Sequence, residues 1–190
     1  MKKIDEAFLR TILKMFDVPL ETWGTGKAQN VSDLLRELQQ GECYLCVDND
    51  GVTRVLEIVK MHISDPQFLE RGNLLEWSQT FPDNRVRERK QMPSEKLKSG
   101  ETSEAALARG LKEELELESI DWVAEPSKTV KELRASLSYP NLPSVYIIHH
   151  FNVALNTDSP ALRDEFTIVS KDPNEGILYF RWEHLGQRKS

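Results

Sequence analysis

The sequence predicts a mixed α+β or α/β sandwich, and three observations carry that reading. Apolar runs of strand length stand on both sides of one strongly helical segment. Turn residues (Gly, Asn, Asp and Pro) separate those runs. The 190 residues are 39% apolar and 29% charged, an ordinary balance in a chain long enough to bury a core. The formal net charge of −6 gives no support to non-specific nucleic-acid binding, so RNA is not indicated as a partner, although a local basic patch remains open. No run approaches the ~18 apolar residues that span a bilayer, so no membrane partner is expected. Met1-Lys2-Lys3 leads into Ile4-Asp5-Glu6 rather than an apolar stretch, which argues for a cytoplasmic protein.

From the N-terminus, Ile4, Phe8, Leu9, Ile12, Met15 and Phe16 recur at helical period and predict a helix bounded by Pro19. A polar loop from Thr22 to Asn30 follows, with Trp23 as its expected anchor. Val31, Leu34, Leu35 and Leu38 predict a second helix, capped by Asn30 or Ser32 and stopped at Gly41. Residues 1–40 therefore read as an N-terminal helical extension and 41–190 as the main domain. The extension is expected to cover a sheet face; capping a pocket or forming a homodimer are its alternative uses.

Cys43 and Cys46 form C-x-x-C, but the four His show no ligand spacing to complete a zinc site. Both thiols are expected to be buried in a strand. Asp48-Asn49-Asp50-Gly51 then predicts a hairpin whose return strand runs from Val52 to Ile63. A calcium loop is excluded because Cys46 stands where the first Asp ligand belongs. Leu74–Phe81 predicts a strand, Pro82-Asp83-Asn84 a turn, and Arg85–Lys90 a further strand with Arg85, Arg87 and Arg89 on one face. A helix is expected from Thr102 to Leu117. Ile120–Val123 reads as a strand, Lys128–Leu137 as either helix or strand, and Tyr139–Pro143 as a rigid loop. Val145–Leu155, Phe166–Val169 and Ile177–Trp182 complete the strands.

Chemistry concentrates between Met92 and Leu117. Gly100-Glu101-Thr102 forms a turn into a helix cap. At about 100° per residue, Leu107, Leu111 and Leu115 share the core face. Arg109 and Glu113 lie nearly opposite, and Glu114 flanks the stripe. A loop carboxylate and two adjacent helical carboxylates could converge on a hard divalent cation, although a solvated acidic helix has the same composition.

Order and spacing add more. Glu101, seven residues, Arg109, then Leu111, Glu113-Glu114 and Leu117 resemble the Nudix box of the Nudix hydrolase family, over residues 95–117. Met92-Pro93 stands where the family has Leu-Pro, and Gly100-Glu101-Thr102 matches its Gly-Glu-Thr/Ser. Three positions depart from the pattern. Ser94-Glu95 replaces paired glycines, Gly110 replaces a Glu that belongs to the family's metal cluster, and Glu116 replaces a Gly. By helical geometry, residue 110 is expected to project between Glu113 and Glu114.

The resemblance implies a Nudix-type α/β/α sandwich with a mixed sheet over 41–190. It also implies a reaction, the cleavage of a nucleoside diphosphate linked to another moiety by water attack at phosphorus. Mg²⁺ or Mn²⁺ would assist. Glu101, Glu113 and Glu114 would be metal ligands, and Glu113, Glu114 and Arg109 the catalytic set. The general base stays open among Glu113, Glu114, Asp164 and Glu165. Arg85, Arg87, Arg89, Lys96 and Lys98 would hold substrate phosphates. Trp77, Phe81, Tyr139 and Tyr146 are candidates to stack on a base. The alternative is a catalytically weak or inactive Nudix-fold module that binds a nucleotide, an RNA end or a protein partner. A diphosphate isomerase on the same fold is set aside, because no Cys stands where it would act.

Overall fold

In the computed structural model, which describes residues 4–26, 28–49, 51–156, 158–170 and 176–184, Asp5 caps the first helix, α1 (Glu6–Met15), by accepting the Phe8 N–H at 2.8 Å. Met1 to Lys3, Lys27 of the expected polar loop, Asp50 of the expected hairpin turn and Thr157 lie outside the described residues. The apolar face of α1 differs from expectation. Leu9 and Leu13 are its buried pair, while Phe8, Met15 and Ile4 are exposed. Residues 9 and 13 are one i,i+4 step. The wider set of apolar residues covers more of the helix surface than the core accepts.

Helix α2 (Val31–Gln40) follows its sequence signals closely. Asn30 and Asp33 form a reciprocal capping box, and Gly41 ends the helix at φ 75°. The Glu42 N–H bonds back to the Glu37 carbonyl at 2.9 Å, closing the terminus. Between the helices, Trp23 anchors its loop as expected. Its indole N–H donates to the Pro140 carbonyl at 3.0 Å, and its ring centroid lies 5.1 Å from that of Tyr139.

The protein is α+β, with its strands in two sheets. The first has the order β1 (Tyr44–Asp48), β2 (Gly51–Ser64), β7 (Pro143–Leu155), β6 (Trp122–Ala135), with β5 (Ser94–Lys96) also paired to β2. The β1–β2 hairpin pairs Tyr44 with Val55 and closes at Asp48 and Gly51. Further along β2, the Leu97 N–H bonds to the Glu57 carbonyl and the Met61 N–H to the Pro93 carbonyl, so β5 runs antiparallel to it. The ambiguous stretch after Lys128 is strand, continuing β6 to Ala135.

The second sheet is antiparallel, in the order β4 (Val86–Gln91), β3 (Leu74–Thr80), β9 (Ile177–Trp182), β8 (Glu165–Val169). Helix α3 (Ser103–Leu115) buries Ala106, Leu107, Gly110, Leu111 and Leu115. Among the described residues no helix is long and apolar enough to cross a membrane.

The chain divides into two compact units. One comprises Met1–Ile58, Lys96–Thr102 and Thr129–Ile148; the other comprises Val59–Glu95, Ser103–Lys128 and His149–Ser190. In the first, α1 and α2 share a core with Cys43, Val52, Leu56, Tyr139 and Leu142. Cys43 is buried there, its thiol pushed up to about 11 chiefly by burial. Cys46 is exposed, contrary to the expectation for both thiols, because alternate strand residues face opposite sides.

In the second unit, His62 Nε2 and His150 Nδ1 lie 2.8 Å apart, a contact that no sequence spacing announced. Such a hydrogen bond needs one neutral ring. Burial, then the positive charges of Lys60 and Lys128, push the His62 imidazole below its ordinary value of 6.5. The unfolded chain therefore takes up that proton more readily than the folded one. This contribution to stability is complete above pH 6.5 and is lost as pH falls from there toward the lowered folded value. Denaturant titrations across that range should show stability falling with acidity, and His62→Gln should flatten that part of the curve. An unchanged slope in the variant would remove His62 from the account.

Candidate functional site

The turn before α3 forms as its residues dictate. Gly100 takes φ 81°, and the Glu101 carboxylate accepts the Lys98 N–H at 2.9 Å. Glu101 thus closes its own turn. It also lines an apolar cleft of the first unit, ≈ 740 Å³ in volume. Lys98 is exposed. At the other end of α3, Glu116 adopts φ 56°, the left-handed conformation that explains a glycine in the related pattern. The Leu117 N–H still reaches back to the Leu111 carbonyl at 3.1 Å, so the helix stops there with a Glu in the glycine's place.

On α3 itself, Arg109 Nη1 lies 2.9 Å from Glu95 Oε1 and 3.4 Å from Glu113 Oε2. The Arg109 and Glu95 side chains are each 17% exposed, whereas that of Glu113 is 45% exposed. One guanidinium therefore ties a strand carboxylate to a helix carboxylate and leaves the latter open to solvent. Glu114 is half-buried one position further on.

Gly110 does not project between the two helical acids, as the geometry of an isolated helix suggested. It is buried, and a Cβ built on it would lie 2.5 Å from Met61 Cε and 2.9 Å from Glu95 Cβ. The position faces packed side chains from β2 and β5. Glu at 110 would therefore gain nothing from its helix propensity, because overpacking outweighs it.

The basic residues divide sharply. Lys96 is not available to phosphate. Its ammonium sits 2.8 Å from both Glu37 Oε1 and Glu42 Oε2 inside the first unit. Arg85 lies in the turn, before β4, on Asp83 at 2.6 Å. Arg89 lies 3.0 Å from the buried Glu76 carboxylate and reaches Gln79 Oε1 at 3.4 Å. A bulge at Trp77 causes this. The register shifts between Glu76 and Ser78, so Glu76 and Gln79, three apart, are both buried. Lys90 takes φ 47° on the facing strand, which breaks strict alternation there as well. The three arginines therefore do not form the uniform face that period two predicts.

Arg87 makes no ion pair among the described residues. Burial and the nearby Arg89 lower its pKa, against the pull of Glu76. It is the cation of the three left for a ligand. On any diphosphate the protein turns over, Arg87→Ala should raise KM several-fold at nearly constant kcat, as loss of uniform binding does, while Arg85→Ala should change neither. A wild-type KM for Arg87→Ala would make the residue surface decoration.

Among the aromatics, Tyr139 is fully buried against Trp23 and Arg54 and cannot stack on a base. Trp77 lies between Lys90 Nζ at 4.9 Å and Arg181 Cζ at 5.2 Å from its ring. Phe81 carries the Arg85 guanidinium at 5.1 Å, and Tyr146 that of Arg134 at 5.7 Å. The downstream acids are also occupied. Asp164 pairs with Arg71 at 2.9 Å, and Glu165 accepts the Tyr179 hydroxyl.

Among the described residues no group of three or more His, Cys, Asp and Glu is arranged to hold a metal ion. Two neighbouring carboxylates still suit Mg²⁺, which typically takes one or two protein carboxylates and completes its shell with water and substrate phosphate. Glu113 and Glu114 are the carboxylates of α3 that such a mode would draw on.

No family model matches the chain, and no curated protein matches it. Among solved structures it is similar to DR0079 from Deinococcus radiodurans, with 19% identity, coverage of 68% of this chain and 69% of that one, and a TM-score of 0.37.

Proposed function

We propose that this protein is a metal-dependent pyrophosphohydrolase of the Nudix type, cleaving a diphosphate-linked compound by water attack at phosphorus. The observation that carries the reading is the orientation of Glu113. Its carboxylate is held by Arg109, itself anchored on Glu95, yet remains 45% exposed. A carboxylate fixed in this way loses little further freedom on taking a ligand.

A bound divalent metal would supply charge neutralisation at the diphosphate and a more acidic water. The residues of the chain do the remainder. Glu113 and Glu114 would each present a hard oxygen from successive positions of α3. Arg109 keeps Glu113 aimed through a charge-assisted contact. One of four carboxylates, Glu113 or Glu114 on the helix or Asp164 or Glu165 downstream, accepts the proton of an attacking water. Arg87 offers its guanidinium to phosphate oxygens.

The test is a panel of nucleoside triphosphates, dinucleoside polyphosphates, ADP-ribose, NADH, coenzyme A and capped RNA, assayed with Mg²⁺, with Mn²⁺ and in excess chelator. Turnover of at least one compound that chelator abolishes is the expected result. Equal turnover in chelator sinks the metal mechanism. The second reading, a Nudix-fold module that binds a nucleotide, an RNA end or a protein partner without hydrolysis, is favoured by one observation: Gly110 contributes no oxygen. Binding without turnover across the whole panel would select it.

A further inference from the structure

Two departures from the resembling motif, the Glu at position 95 and the Gly at position 110, are in contact. A Cβ built on Gly110 would stand 2.9 Å from Glu95 Cβ and 3.2 Å from its Cγ. Real Cβ atoms essentially never approach within 3.0 Å, and no rotamer change moves the Glu95 Cβ; its Cγ, at 3.2 Å, has only to give by a few tenths of an ångström. The third contact, Met61 Cε at 2.5 Å, is the far end of a flexible side chain. Side chains at both 95 and 110 therefore fit only if the backbone shifts, and glycine at either position relieves the contact. In this chain the glycine is on the helix and the carboxylate is on β5.

The destination of that carboxylate gives the exchange its meaning. The stem of Glu95 crosses the space above Gly110 and its Oε1 arrives 2.9 Å from Arg109 Nη1. The same nitrogen lies 3.4 Å from Glu113 Oε2. Both partners of the Glu95–Arg109 contact are largely shielded from solvent, so the pair is screened little and holds the guanidinium in one place.

We infer that Glu95 and Gly110 are an exchanged pair: β5 delivers to the α3 site the carboxylate that the helix lacks at 110, and Glu95 acts as the positioning residue that aims Arg109 and, through it, Glu113. This rests on the reading of Glu113 and Glu114 as the metal-holding pair. The inference requires glycine at 110 for a steric reason, and it makes Glu95 part of the metal site without being a ligand. Partners that orient ligands typically affect metal affinity or activity 10- to 100-fold.

The experiment compares the full chain with Glu95→Gln, Glu95→Gly, Gly110→Glu and the double exchange Glu95→Gly/Gly110→Glu. Melting temperature and Mn²⁺ affinity, the latter by titration calorimetry or electron paramagnetic resonance, are measured for each. Gly110→Glu alone should lower the melting temperature by several degrees, since it overpacks the contact. The double exchange should recover most of that loss, so the two changes are strongly non-additive. Glu95→Gln, which keeps the shape and removes the charge, should weaken Mn²⁺ about 10-fold or more with little change in melting temperature. The double exchange should bind Mn²⁺ more tightly than Glu95→Gly.

Additive effects on melting temperature would overturn the exchange, and wild-type Mn²⁺ affinity in Glu95→Gln would overturn the positioning role. If the wild type binds no Mn²⁺, the proposed function falls and with it the positioning role. Non-additivity in melting temperature would then still establish the exchanged pair on its own.

Discussion

Replacing Glu37 with Gln is expected to destabilise the protein by about 3–5 kcal/mol, the usual effect of removing one partner from a buried ion pair. Glu37 Oε2 lies 2.5 Å from Arg54 Nη2, and these side chains are only 6% and 4% exposed. Lys96 adds a second cation at 2.8 Å from Oε1, and the Cys43 thiol points its sulfur at Oε2 from 3.8 Å. An amide at 37 leaves the guanidinium buried without a counter-charge, over the ring of Tyr139 at 4.9 Å. Lys96→Met should do far less harm, because Glu37 keeps Arg54 and the lysine side chain is 35% exposed.

The same group sets an acid limit. Burial by itself raises the Glu37 pKa, but Lys96 and Arg54 outweigh it and hold the carboxyl below its ordinary 4.5. Its contribution is therefore fully present above pH 4.5 and is lost as pH falls through the lowered folded value. Urea titrations at neutral and acidic pH would read both effects. A Glu37→Gln protein within about 1 kcal/mol of wild type would show that water or rearrangement compensates Arg54.

Glu114→Gln is expected to reduce metal-dependent turnover by about 10²–10³-fold. Loss of a ligand removes several kcal/mol of charge stabilisation, and each 1.36 kcal/mol is tenfold in rate. Glu113→Gln should act similarly and in addition release Arg109 from its contact on the helix. Neither change should move the melting temperature by more than a few degrees, because both side chains are partly exposed and the core stripe of α3 is Leu107, Leu111 and Leu115. Rates at saturating Mg²⁺ together with thermal melts separate a lost site from a lost fold. A Glu114→Gln enzyme at wild-type rate would remove α3 from the chemistry.

Features whose physics is local were legible in the sequence. Asn30, Asp33 and Gly41 bound α2 because capping satisfies helix ends with residues a few positions away. Leu107, Leu111 and Leu115 face inward because helical period alone places them on one stripe. The β1–β2 hairpin follows its turn residues, and the α+β class follows from strands on both sides of α3. The spacing of Glu101, Arg109, Glu113 and Glu114 was equally plain, since a motif is a local pattern.

What the tertiary structure alone decided depends on residues far apart in the chain. Lys96 reads as a phosphate-binding cation beside the motif. It is instead half-buried and paired with Glu37 and Glu42, more than fifty positions away. His62 meets His150 only because β2 and β7 are neighbours. The bulge at Trp77 turns Glu76 and Gln79 toward Arg89, and no period-two count can include a residue that leaves the ladder. Gly110 reads as a missing ligand until β5 brings Glu95 against it, where the glycine is the space the other carboxylate needs. Sequence period determines which way a side chain points from its own element. Only packing determines what it meets there, and burial of a charge costs too much to be left without the partner that the fold brings to it.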